Sequence, residues 1–292
     1  MQSAFTFILA LAALSNAHPL GFPLSAHRRI NGTSINPNTT TEIWQPTIGA
    51  TWQIILHGAV PASSLSNPTA SIYDIDVFEN PTSTITSLHN AGRRVICYFS
   101  AGTREDWRED ADQFDDADLG SDLDDWDGEK WVDLRSENVR SIMRKRLDIA
   151  KQKGCDAVDP DNVDAYGNEE GGLGLTEDDT VDFMNWLAGE AHARGLAIGL
   201  KNAGAIIPRV LENMQFSVNE QCSVYDECDV YMPFVDAGKA VFQIEYPKGD
   251  DVNDEMEVSG MKKESVCSGY EGEGSFSTLI KNMDLDEWVQ IC

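Results

Sequence analysis

The sequence predicts an α/β protein, a single-domain (β/α)8 TIM barrel, and three observations carry that prediction. Short apolar runs of strand length recur along the chain. Helical patterns that end in glycine separate several of them. The C-terminal ends of the runs carry acids, amides and tyrosines. Eight runs qualify as strands: Trp52 to Leu56, Ser71 to Val77, Arg94 to Ser100, Trp131 to Leu134, Cys155 to Asp159, Ala197 to Asn202, Phe216 to Gln221 and Ala240 to Tyr246. The alternative is an open doubly wound sheet, which would carry a glycine-rich phosphate turn after an early strand. No such turn and no P-loop is present.

In chain order, Phe5 to Leu14 is nearly continuous apolar sequence, and Ser15-Asn16-Ala17 offers small residues for cleavage, so residues 1–17 read as a signal peptide. The run is too short for a membrane span, and no later run is apolar enough for one, so a secreted, extracellular protein is expected. Residues 18–41 are rich in Ser, Thr, Asn and Pro without periodicity and read as a flexible leader. Arg28-Arg29 forms a dibasic pair, and Asn31-Gly32-Thr33 and Asn38-Thr39-Thr40 fit the N-glycosylation pattern. The barrel is expected to occupy residues 42–292.

Three helices follow from periodicity: Ser83 to Asn90 before Gly92, Val139 to Lys153 before Gly154, and Thr176 to Ala193 before Gly195. Thr176 and Asp179 are spaced as a capping box. After Tyr246, Asp250 to Glu257 reads as an acidic loop and Phe276 to Ile291 as a helix closing the barrel bottom. Six cysteines in a secreted chain favour disulfides, with Cys222–Cys228 and Cys267–Cys292 the expected pairs. Cys97 and Cys155 sit inside strand-like runs, where a disulfide and two buried free thiols are both open.

A formal net charge of -27 argues against nucleic acid and anionic membranes and for cationic partners. The charge concentrates between Glu105 and Glu129, which holds thirteen Asp/Glu against Arg108 alone. Neither Asp122 to Asp127 nor Asp159 to Asp164 has EF-hand spacing with its central glycine, and no metal or other cofactor is expected. Trp107, Trp126 and Trp131 read either as core or as sugar platforms.

The stretch from Gly154 to Tyr166 is the most informative. An apolar run enters Asp159, Pro160, Asp161, Asn162 and Asp164, so a buried strand ends in a mouth crowded with carboxylates. Alternation places Asp159 and Asp161 on one face, where two carboxylates split their affinities for a proton, as acid and base work requires. The other strand ends present Asp74 and Asp76, Tyr98, Lys201 and Asn202, Glu220, and Glu245 and Tyr246. Carboxylates and amides suit sugar hydroxyls, and tyrosine faces suit sugar rings.

As an ordered set, Trp52-Gln53-Ile54, Tyr73-Asp74-Ile75-Asp76, Val95 to Gly102 with Glu105-Asp106-Trp107, Gly154 to Tyr166, Gly199-Leu200-Lys201-Asn202 and Asn219-Glu220-Gln221-Cys222 resemble glycoside hydrolase family 114. The resemblance spans roughly Trp44 to Tyr246. It implies a TIM-barrel endo-α-1,4-polygalactosaminidase whose catalytic pair is Asp161 and Glu220. Substrate contacts are then expected from Asp74, Asp76, Tyr98, Asp159, Asn162, Asp164, Lys201, Asn202, Glu245 and Tyr246, in a monomer. Asp159 stands where many relatives carry Glu. The implied partner, a deacetylated galactosaminogalactan-like polymer, is a polycation that the acidic surface would concentrate. Two rival functions are a non-catalytic binder of cationic amino-sugar polymers and a Schiff-base lyase using Lys201.

Overall fold

The computed structural model describes residues 42–63, 70–249, 252–267 and 275–292. The proposed signal peptide and leader, with Arg28-Arg29, Asn31 and Asn38, lie outside the described residues. The strands are β1 (Trp52–Ile55), β2 (Ile72–Asp76), β3 (Arg94–Ser100), β4 (Thr103–Glu105), β5 (Leu119–Asp122), β6 (Glu129–Val132), β7 (Ala157–Asp161), β8 (Ala197–Lys201), β9 (Phe216–Glu220), β10 (Ala240–Glu245), β11 (Phe276–Ile280) and β12 (Gln290–Ile291). Nine of them form one sheet in the order β1-β2-β3-β7-β8-β9-β10-β11-β12, parallel except for β12 against β11. The other three form a small antiparallel sheet, β4-β6-β5, inserted between β3 and β7.

The large sheet is curled on itself. Trp52, Ile54, Ile72, Ile96, Ala157, Phe216, Phe242 and Leu279, taken from strands between β1 and β11, share one core. Trp52 of β1 stacks on Phe242 of β10 at 4.8 Å and donates from Nε1 to the Ser277 carbonyl of β11 at 2.8 Å. Eight parallel strands with a common interior fit a (β/α)8 barrel. Among the described residues β1 and β11 meet through side chains, with no ladder between them. The interior is crowded enough to require glycine once: a Cβ on Gly199 would sit 2.4 Å from the Phe216 ring.

Helices α1 (Thr82–Asn90), α2 (Glu137–Lys153) and α3 (Glu177–Ala193) follow their predicted spans within two residues. Apolar positions at helical spacing set their inner faces. In α2, Val139, Ile142, Met143, Leu147 and Ala150 bury against the outward residues of the sheet, each worth about 1–3 kcal/mol for the larger side chains. Ser136 caps α2, Gly154 ends it in the left-handed conformation, and the Thr176–Asp179 capping box opens α3. Three short helices, α4 (Ile207–Val210), α5 (Met232–Asp236) and α6 (Gly260–Cys267), complete the chain.

Two expectations are corrected. Trp131 to Leu134 is no barrel strand, because Trp131 and Val132 belong to β6 of the inserted sheet. The eighth parallel strand is instead Phe276–Ile280, where a helix was expected; Phe276, Thr278 and Ile280 are strand formers and pair with β10. Of the two states open to Cys97 and Cys155 the structure holds the disulfide, tying β3 to the segment before β7; Cys222–Cys228 and Cys267–Cys292 pair as expected.

Candidate active site

The ladder register stacks the polar strand ends at one mouth. Ser100 pairs with Asp161 and Lys201 with Val218, so the ends of β3, β7, β8 and β9 lie side by side. Immediately beyond three of these ends the backbone turns left-handed: Asn162 at φ 58°, Asn202 at φ 47° and Gln221 at φ 61° follow Asp161, Lys201 and Glu220. Such conformations cost free energy outside glycine, least for asparagine, and their repetition marks a mouth shaped for function. Gly102 is needed for a different reason, close approach: a Cβ there would overlap the Asn162 carbonyl at 1.6 Å.

Lys201 is the centre of the cluster. Its ammonium, 2% exposed, lies 2.9 Å from Asp161 Oδ2 and 3.2 Å from Glu220 Oε2. Burial alone would lower its proton affinity, but Asp161, Glu220 and Asp159 together raise it well above the ordinary lysine value. Lys201 is therefore an ammonium that positions two acids. Asp161 also accepts from the Tyr98 hydroxyl at 3.0 Å and the Asn162 backbone N–H at 2.7 Å. Glu220 accepts from the Tyr246 hydroxyl at 2.5 Å and the Asn202 amide at 3.2 Å, while its own N–H donates to Asn202 Oδ1 at 2.9 Å. Burial would push the Glu220 carboxyl up, but Lys201 and these donors outweigh it and hold it below the usual range. Burial, then Asp161 beside Tyr98 and Glu220 beside Tyr246, keep both tyrosine hydroxyls protonated as donors.

One layer deeper, Asp74 and Asp159 are fully buried. Neither carboxyl accepts a bond from an N–H or hydroxyl among the described residues; each faces the other, an arrangement that needs a proton between them. Burial first, and then the charge of Asp159, hold Asp74 well above its ordinary value, and burial pushes Asp159 up to about 7. These two are the floor beneath the site.

The remaining expected residues divide. Asp164 lies beside the mouth, pushed up to about 6 by burial and then by Asp161. Asp76 turns to Arg108, which bridges it to Glu105 through bonds of 2.6 and 2.7 Å. Glu245 faces away from the interior and holds the Cys222–Cys228 loop, accepting from the Ser223 N–H at 2.8 Å and from Gln243 at 2.7 Å. Sequence reasoning missed a network behind Asp161. The Asn162 amide donates to Ser100 Oγ at 3.0 Å and Thr103 Oγ1 at 3.2 Å, and Thr103 donates to Glu129 at 2.7 Å. Burial, only partly opposed by Thr103, pushes Glu129 up to about 7. Arg146, fully buried, anchors this corner through Asp110 and the Ser100 carbonyl. The one signal in the sequence was the density of acids after Glu105. Among the described residues no group of His, Cys, Asp or Glu is arranged to hold a metal ion.

A curled parallel sheet whose mouth holds two acids on either side of one cation is an arrangement compatible with the glycoside hydrolase class. The comparisons narrow the class. The model of glycoside-hydrolase family GH114 matches residues 33–292, and the chain belongs to that family. Among solved structures it is similar to Aspergillus fumigatus Ega3 in complex with galactosamine, with 56% identity and a TM-score of 0.83 over 87% of this chain and 100% of that one. The glycoside hydrolase domain of PelA from Pseudomonas aeruginosa shares the fold, with 13% identity and a TM-score of 0.65 over 82% of this chain and 98% of that one. No curated protein matches.

Proposed function

We propose that the protein is a secreted, endo-acting hydrolase of α-1,4-linked galactosamine polymers, with Asp161 and Glu220 as its catalytic pair. The single observation that carries the mechanism is Lys201 standing between the two acids. Its legs of 2.9 and 3.2 Å keep the nearest oxygens of Asp161 and Glu220 within about 6 Å of each other. That bound is compatible with the roughly 5–5.5 Å carboxyl spacing of retaining enzymes.

In this reading Asp161 is the nucleophile. Its oxygens are fixed by Lys201, Tyr98 and the Asn162 N–H, and one attacks C1 of the sugar as the bond from C1 to the leaving oxygen breaks. Glu220 is the acid/base. Its contact with Lys201 is the longer one, and Tyr246 carries a hydroxyl able to accept as well as donate, so a sugar that draws Lys201 toward Asp161 lets Glu220 carry the proton. That proton passes to the leaving oxygen. Glu220 then takes a proton from water, whose oxygen attacks C1 and frees Asp161. The raised proton affinity of Lys201 weighs against a Schiff-base reaction, which needs a free amine.

The substrate class rests on family membership, on the galactosamine complex of Ega3 and on the charge of -27, which suits a polycation. Secretion rests on the apolar run from Phe5 to Leu14 and on three disulfides. No helix among the described residues is long and apolar enough to cross a membrane. The mechanism is tested by following the anomeric protons of the first products by NMR. α-Configured ends are expected; β-configured ends overturn the nucleophilic role of Asp161.

A further inference from the structure

The inserted sheet keeps two tryptophans in water. Trp107 is 52% and Trp126 54% exposed, whereas Trp131 of the same sheet is 3% exposed and belongs to the core. The two exposed rings sit on one rim. The Trp107 ring lies against Gly128, where a Cβ would come within 3.2 Å of its Cζ3, and Asp106 donates its N–H to the Gly128 carbonyl at 3.1 Å. Trp126 occupies the same turn, bonded through its backbone to Leu123 and Glu129. Two indoles left about half in water, one in the turn before β6 and one in the segment after β4 that meets it, stabilise the fold less than a buried tryptophan would.

The rim is tied to the active site by hydrogen bonds through buried side chains. Glu129, three residues beyond Trp126, accepts from Thr103; Thr103 accepts from Asn162, the residue after Asp161. Arg108, next to Trp107, bonds to Asp76 at the end of β2. Around the indoles the exposed side chains are Asp106, Asp124, Asp125 and Asp127. An indole face fits the apolar face of a pyranose ring and attracts an ammonium, and the surrounding carboxylates add to that attraction.

We propose that Trp107 and Trp126 form an outlying subsite that stacks on amino-sugar residues of a chain whose scissile bond lies between Asp161 and Glu220. This rests on the galactosamine-polymer reading above and names the residues that would make the enzyme favour long, cationic chains. The occupant is a protonated amino sugar. A neutral acetylated sugar retains the stacking and loses the ammonium contact.

The test uses the full mature protein with Trp107→Ala and Trp126→Ala, and Met261→Ala as a control. Met261 is 85% exposed on α6 and has no part in the site. Steady-state kinetics are measured on the deacetylated polymer and on a ladder of α-1,4-galactosamine oligomers. Each tryptophan variant is expected to raise KM on the polymer by about 5-fold, with kcat little changed, and the increase is expected to shrink as the oligomers shorten. Thermal midpoints are expected to stay within a few degrees of wild type, since about half of each residue is already exposed to water. An equal increase at every chain length, or an increase no larger than that of Met261→Ala, overturns the subsite. A wild-type protein that releases nothing from any galactosamine chain overturns the functional reading beneath it.

Discussion

Replacing Glu129 by Gln separates the electrostatics of the site from its packing. Glu129 is 6% exposed, and burial raises its pKa from 4.5 to about 7. A carboxyl whose folded value lies above its unfolded value binds more protons in the native state. Its contribution to stability is complete below about 4.5 and is lost as pH rises through about 7. With those two values the contribution falls by about 2.5 kcal/mol between about pH 5 and pH 8, at about 1.4 kcal/mol per unit. Glutamine keeps an oxygen for the Thr103 hydroxyl and cannot titrate, so its offset from wild type does not depend on pH at this position. The expected result is that E129Q gains about 2.5 kcal/mol relative to wild type between those pH values, or roughly 5–10 °C in Tm for a domain of this size. Urea or thermal unfolding of both proteins at the two pH values reads the difference directly. An offset that stays the same at both pH values refutes the assignment, because Glu129 would then titrate like an exposed carboxyl.

Three further outcomes follow from the same geometry. Lys201→Met leaves Asp161 and Glu220 without their shared cation; kcat is expected to fall by at least about 100-fold, and stability at neutral pH by about 3–5 kcal/mol, part of it recovered in acid as a carboxyl takes up a proton. Unfolding curves at two pH values alongside single-turnover rates check both halves. Gly199→Ala drives a methyl against Phe216 inside the curled sheet and is expected to cost about 1–3 kcal/mol in denaturant unfolding. On the deacetylated polymer, kcat/KM is expected to fall as salt rises, since the Debye length shrinks to about 10 Å at 0.1 M, while a neutral acetylated polymer shows little change.

Much of this architecture was legible in the sequence because it depends on local pattern. Seven parallel strands of the large sheet announced themselves as short apolar runs, and the glycines after three helices marked their ends. The eighth strand was not legible. Trp131, Val132 and Leu134 have strand chemistry, but nothing local says which sheet they join, and hydrogen bonds with β4 and β5 take Trp131 and Val132. Phe276 to Ile291 was read as a helix because apolar residues such as Leu279 and Trp288 fall at loosely helical spacing. Pairing with β10, a contact remote in sequence, decides the strand.

The site divides in the same way. Asp161, Lys201 and Glu220 end their strands, so the barrel hypothesis alone brought them to one mouth. Glu245 also sits at a strand end, but its place on the outward face of β10 follows from register, and it supports the loop behind Glu220. The link from Glu129 through Thr103 to Asn162 joins the inserted sheet to the turn after β7, and such long-range hydrogen bonds leave no trace in spacing. Asp74 and Asp159 were visible as acids. That both are sealed beneath the mouth depends on how the interior closes over them.

The most direct measurement of the central claim is product analysis after incubating the mature protein, D161N and E220Q with deacetylated α-1,4-galactosamine polymer. Short oligosaccharides are expected from wild type and none from either variant, with both variants still folded at the assay temperature. Wild-type protein that binds the polymer and releases nothing, or a variant that cuts as fast as wild type, contradicts the assignment of Asp161 and Glu220 as the hydrolytic pair.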